Sequence, residues 1–149
     1  MEEMFELLIA IGHYARVQRR FDDARYLFER LARLYPAQAS PHLGLGLVEV
    51  DRANYGKAVL LCRRAVDMQP DYALARAWLG ACLLFEEKYA SGARMLMSVS
   101  NSDDPAASRT ARAFLDLPQC APYRSAYRET AATSRSVPIL YQLTIRESQ

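Results

Sequence analysis

Few residues of this 149-residue chain have types and spacings suited to chemistry. His13 and His42 are the only histidines, and the three cysteines (Cys62, Cys82, Cys120) stand far apart. A zinc site needs cysteine or histidine ligands clustered at short spacings, and a disulfide framework needs an even set. Neither pattern occurs, so the thiols are expected to be buried and neutral. The acidic pairs Asp22-Asp23, Glu86-Glu87 and Asp103-Asp104 are neighbours in sequence, and neighbours on a helix do not face each other. They read as capping or solvated groups rather than as a general acid and its base. No nucleophile elbow, H-E-x-x-H or phosphate-cradling loop is present. The expectation is a non-catalytic chain with no cofactor and no metal.

Composition narrows the field further. Half the chain is hydrophobic (51%) and 24% is charged, the balance of an ordinary globule. The net charge of +2 supplies no basic stripe of the kind that holds nucleic acid phosphates. No apolar run approaches the about 18–20 residues that cross a bilayer, so no membrane insertion is expected. Met1-Glu2-Glu3-Met4 is acidic where a secretory signal is basic, which predicts a cytoplasmic protein.

The elements that would position any site follow from an internal repeat. Gly12, Gly46 and Gly80 are evenly spaced along the chain, each preceded by Ile11, Leu45 or Leu79. An aromatic follows each glycine at one fixed distance: Phe21, Tyr55 and Tyr89. Ala24 and Ala58 come shortly after in the same register, with Gly92 in the third copy; Pro36, Pro70 and, one position late, Pro105 close the copies. Glycine inside a helix costs about 1 kcal/mol against alanine, so three in register predict helices that approach too closely for a Cβ. Ser40-Pro41 reads as an N-cap followed by proline at the first helical position.

These residues resemble the tetratricopeptide repeat, a helix–turn–helix unit with a period of about 34 residues. The resemblance implies an all-α, right-handed superhelix of three helical hairpins, a C-terminal capping helix and an irregular tail. The repeats are expected at about 5–38, 39–72 and 73–106, inside a unit spanning about 1–117. Helices are predicted at about 3–17, 22–35, 40–52, 56–68, 73–86 and 90–100, with the capping helix over about 105–117.

In tandem arrays of this family the first helix of each pair lines a concave, peptide-holding groove. Carried over by register, the groove comprises Glu6, Ile9, His13 and Arg16; Ser40, Leu43, Leu47 and Val50; then Leu74, Ala77, Ala81 and Leu84. One use of the fold is a carboxylate clamp built from Lys, Asn and Arg, which grips acidic C-termini. The matching positions here hold Ile9, His13, Gly44, Leu74 and Trp78, so the clamp is absent. An aliphatic trough suits a hydrophobic segment of another protein instead. Trp78 reads equally as a binding anchor or as a shielded aromatic.

A second resemblance is more specific. Phe21-Asp22-Asp23-Ala24 with Phe28 and Leu31, followed by Leu43-Gly44-Leu45-Gly46, is similar to stretches of the small chaperones of bacterial type III secretion. Those chaperones shield hydrophobic subunits before export. The resemblance implies a non-catalytic cytoplasmic chaperone whose client is a hydrophobic segment of a translocator or needle component. A general scaffold or adaptor that assembles a protein complex is the alternative.

The C-terminal segment 118–149 holds Pro118, Pro122 and Pro138 and four arginines against two glutamates. A short helix near 122–133 is expected, then a strand-like alternation over 139–145. Val137-Pro138-Ile139-Leu140 resembles the apolar segments such chaperones receive. The tail is therefore expected to be mobile or docked, filling the groove of its own or a neighbouring molecule and so supporting self-association.

Overall fold

The computed structural model describes residues 2–124. The described residues contain α1 (Glu2–Val17), α2 (Phe21–Leu34), α3 (Ser40–Asp51), α4 (Tyr55–Met68), α5 (Ala73–Phe85), α6 (Tyr89–Met97) and α7 (Pro105–Leu115), with a single 3-10 turn at Pro118–Cys120. The chain is helical again at 121–124. The rest of the helix expected near 122–133, the alternation over 139–145 and the tail segment 137–140 lie outside the described residues. The fold is an all-α tetratricopeptide-type superhelix: helices pack on their sequence neighbours, and α7 lies chiefly against α5 and less against α6.

Close approach at the glycines sets the helix spacing. A Cβ on Gly12 would stand 2.6 Å from the Phe28 ring, and one on Gly44 would stand 2.5 Å from the same ring. Phe28 is thus wedged between α1 and α3, fully shielded from solvent. In the second repeat Gly46 faces the Cys62 sulfur in the same way, at 2.8 Å. In the third, Gly80 and Gly92 meet backbone to backbone: a Cβ on either would lie 3.0 or 2.9 Å from the other's carbonyl oxygen. Gly92 in place of alanine therefore lets α6 sit close against α5.

The buried clusters straddle repeats rather than filling them. One joins Phe5, Ile9, Ala24, Phe28 and Leu31 to Val48 of α3; the next joins Leu43, Leu47 and Cys62 to Leu79 and Cys82 of α5. The last joins Ala77, Leu84 and Leu96 to Ala111 and Leu115 of α7, so α7 closes the end of the stack. Glu49 is only 3% exposed and ties three helices together: it faces Arg25 of α2 at 3.4 Å, Asn54 at 2.8 Å and Lys57 of α4 at 3.7 Å.

The turn between the two helices of each repeat has one geometry. Arg19, Ala53 and Glu87, at the same position of successive repeats, all adopt the left-handed conformation, with φ of 62°, 60° and 61°. The amides of Arg20, Asn54 and Lys88 bond back to the carbonyls of Ala15, Glu49 and Leu83, and the preceding amides bond to those of Arg16, Val50 and Leu84. This is the Schellman ending, normally made by glycine. Its recurrence at non-glycine residues hid it from the sequence.

Two local expectations need correction. Ser40 is the first residue of α3 and not its cap: Ala39 stands at the cap in right-handed helical conformation and makes no side-chain capping bond. Its carbonyl already accepts from His42 and Leu43, so no hydroxyl is needed there. Pro36 and Pro70 follow the ends of α2 and α4, and Pro105 opens α7 where the capping helix was expected to begin, with Asp104 accepting from the amides of Ala106 and Ala107. Finally, α6 stops at Met97 and not near residue 100, because the Ser98 and Ser100 hydroxyls bond back to the carbonyls of Met95 and Met97.

Two substitutions test this account. Gly44→Ala drives a methyl into a ring that cannot retreat, and is expected to cost about 1–3 kcal/mol in denaturant unfolding. Ala53→Gly relieves the left-handed strain at an exposed site, and should raise stability by about 1 kcal/mol in the same measurement.

Candidate functional site

The residues expected to line a groove lie on α1, α3 and α5, and packing divides them. Ile9, Leu43, Leu47, Ala77, Ala81 and Leu84 are buried, five of them inside the clusters that join the repeats. His13, Arg16, Val50 and Leu74 are half-buried, as is Ser40, and Glu6 is exposed. The inner helices thus offer solvent a thin edge above a closed core.

At the α1 end that edge is polar. Arg16 Nη1 donates to Asp51 Oδ2 at 2.8 Å, joining the C-terminal ends of α1 and α3. The His13 ring lies 5.0 Å from Phe28, and its Nδ1 is buried without a hydrogen-bond partner. Burial, reinforced by the Arg16 charge and only partly opposed by Asp51, lowers the His13 pKa to about 4.

At the other end the surface is aromatic. Leu74, Trp78, Ala81 and Phe85 recur at helical spacing and form one stripe on α5. Phe85 is 39% exposed, and its ring stacks on Tyr55 at 4.4 Å. Phe114 of α7 meets both Phe85 and Trp78 edge-on, at 5.8 and 5.7 Å. The half-buried Tyr72 stands at the start of this stripe. Burial, with the negative charges of Glu6 and Asp104 nearby, pushes its phenol up to about 12, so it keeps its proton as a hydrogen-bonding group. Sequence reading singled out Trp78 but missed Tyr72, Phe85 and Phe114 as companions. The 74–78–81–85 spacing carried the signal for Phe85; Phe114 needed the placement of α7.

Nothing in this surface suggests bond-making chemistry. All three cysteines are buried, and the thiols of Cys62 and Cys120 are pushed up: Cys62 by its hydrogen bond to Cys82 and by burial, Cys120 by burial. A raised thiol is a poor nucleophile. Among the described residues no cluster of three metal-ligating side chains occurs, and no helix is long and apolar enough to cross a membrane.

Comparison with known proteins places the chain. A tetratricopeptide repeat model matches residues 9–73 and 43–94, which together span more than half of its length. The chain belongs to the tetratricopeptide repeat family. No curated protein sequence matches it significantly. Among solved structures it is similar to the Yersinia enterocolitica type III secretion translocator chaperone SycD. The TM-score is 0.62 at 18% identity, covering 76% of this chain and 83% of that one. SycD in complex with a peptide of the translocator YopD gives a TM-score of 0.61 at 18% identity, covering 75% and 92%. The second tetratricopeptide domain of human RPAP3, in complex with an HSP70 peptide, gives 0.61 at 15% identity, covering 78% and 100%. At these identities the likeness is one of fold.

His13 gives the site a pH signature. Its folded pKa of about 4 lies below the ordinary 6.5, so the unfolded chain takes up the proton first as pH falls. The contribution is full above pH 6.5 and is lost progressively down to about pH 4; for this half-buried ring it amounts to no more than about 2 kcal/mol. Unfolding followed from pH 7 to pH 4 should show a shallower loss for His13→Leu than for the unsubstituted protein.

Proposed function

We propose that this protein is a non-catalytic binding module that shields a hydrophobic segment of a client protein. The client lies along the inner helices, anchored on the aromatic stripe of α5. The observation that carries the reading is the partly open wall of Trp78, Phe85 and Phe114, next to half-buried Leu74 and Val50. Covering such side chains is worth about 25 cal/mol per Å² removed from water, and aromatic anchors dominate interfaces of this kind. His13, Arg16 and Glu6 form the polar margin, which orients the segment. The buried Leu43, Leu47, Ala77, Ala81 and Leu84, with Ile9, hold the lining in place from beneath.

Two further considerations support the narrower role of cytoplasmic chaperone for a type III secretion substrate. The motifs around Phe21 and Leu43 resemble those chaperones, and the solved complex of SycD holds a translocator peptide. An acidic C-terminal peptide is disfavoured, since the positions that would grip its carboxylates are Ile9, His13, Gly44, Leu74 and Trp78. A general scaffold is the competing role.

The test is capture of partners from native lysate by the tagged protein, with Phe85→Glu and Leu60→Glu alongside. Leu60 is exposed on α4, on the outer layer of the stack. One dominant hydrophobic partner, lost at least tenfold with Phe85→Glu and retained with Leu60→Glu, is the expected result. Several hydrophilic partners lost only with Leu60→Glu would overturn the groove reading in favour of a scaffold working through its outer helices.

A further inference from the structure

The aromatic stripe of α5 lies open at the end of the stack where the described chain leaves it. Cys120 is buried, Tyr123 packs on the cluster shared by α5, α6 and α7, and Arg124 reaches Asp116, just beyond α7, at 3.4 Å. Residue 124 is thus fixed beside the helix whose Phe114 meets Trp78 and Phe85. Residues 125–149 continue from that point and lie outside the described residues. The far end of the stripe, at the start of α5, is acidic. The charges of Glu6 and Asp104 both bear on the Tyr72 phenol. Asp104 is committed to the amides of Ala106 and Ala107, whereas Glu6 is exposed and pairs with no basic group among the described residues.

We propose that segment 135–141 of the same chain lies along α5, with Arg135 at Glu6 and with Ile139 and Leu140 on the wall of Trp78, Phe85 and Phe114. The segment then covers the wall until a client displaces it, which takes that wall to be the client site. The lengths agree. The 13 residues of α5 span about 20 Å, and an extended chain covers the same distance from residue 135 to residue 141. From residue 124 to residue 135 the chain can reach up to about 36 Å, more than twice the roughly 16 Å of α7 that it must pass. The charges agree as well. Arg135 is the only charged residue between Glu129 and Arg146, so one cation comes to the acidic end and only uncharged residues come to the rings. Pro138 favours extended backbone at its own position and at Val137, which lowers the cost of ordering the segment. A tether of this length keeps the segment at an effective concentration on the order of millimolar, so a small contact is enough to cover the wall.

Trp78 is the only tryptophan of the chain and reports on its own covering. The test is acrylamide quenching of its fluorescence in the full chain, with circular dichroism as the folding control. The expected result is at least a twofold rise in quenching when Ile139→Asp and Leu140→Asp are combined. Arg135→Glu should raise quenching in the same direction, and adding Glu6→Arg should bring it back. Contact within one molecule also predicts the same quenching at about 1 and 100 µM protein. Unchanged quenching in the folded Ile139→Asp, Leu140→Asp chain overturns the proposal. So does quenching of the unsubstituted chain that falls with concentration, which places the segment on a neighbouring molecule, or a rise with Arg135→Glu that Glu6→Arg does not reverse. Partner capture by the Ile139→Asp, Leu140→Asp chain, with and without Phe85→Glu, tests the client site apart from the segment. Capture that needs Phe85 while quenching stays unchanged removes the segment from the wall and leaves the client site standing. Capture indifferent to Phe85 counts against the client site alone.

Discussion

The structure depends on the contact between a flat aromatic ring and two missing methyl groups. Phe28 occupies a slot whose walls are Gly12 of α1 and Gly44 of α3, and neither wall has room for a Cβ. One side chain of α2 thereby fixes the distance to the helix before it and to the helix after it. Interiors packed at crystal density transmit such a constraint instead of absorbing it. The same device continues in the later repeats: the Cys62 sulfur against Gly46, then Leu96 against Gly80, where the Gly92 backbone also comes close. The filler changes from repeat to repeat while the close approach is kept.

Where the helices are set, the character of the inner surface follows. Short spacing leaves little depth between α1, α3 and α5, so half of the residues that the register assigns to a groove close against their neighbours. What remains open is set by α7. Because it leans on α5 more than on α6, its Phe114 reaches the stripe bearing Trp78 and Phe85, and an apolar edge becomes an aromatic wall. Polarity therefore runs along the molecule, from the Arg16–Asp51 pair at one end to stacked rings at the other.

The repeat, its helices and its closing elements were legible in the sequence because they are local. A glycine, an aromatic and a small residue at fixed spacing report a helical hairpin wherever they occur. The glycines' packing role was equally legible, since a costly residue recurring in register demands a steric reason. Three things were not. The left-handed turns at Arg19, Ala53 and Glu87 carry no glycine, so nothing at those positions announces the conformation. The burial of Leu43 and Ala77 depends on helices distant in sequence, and register gives a residue's direction without saying what stands opposite. Buried Glu49 looks like any surface glutamate until Arg25, Asn54 and Lys57 are brought around it.

Glu49 also bears on how the molecule yields to force. Each hydrophobic cluster is shared by adjacent repeats, so tension applied at the two ends peels helices away one hairpin at a time. Peeling from either direction then meets the same knot, where a single carboxylate is held by Arg25 of the first repeat and by Asn54 and Lys57 of the second. Removing one partner of a buried charge while the rest of its surroundings stays closed leaves it poorly solvated. Parting the first two repeats therefore breaks the charged contacts of Glu49 together with the apolar cluster that the repeats share.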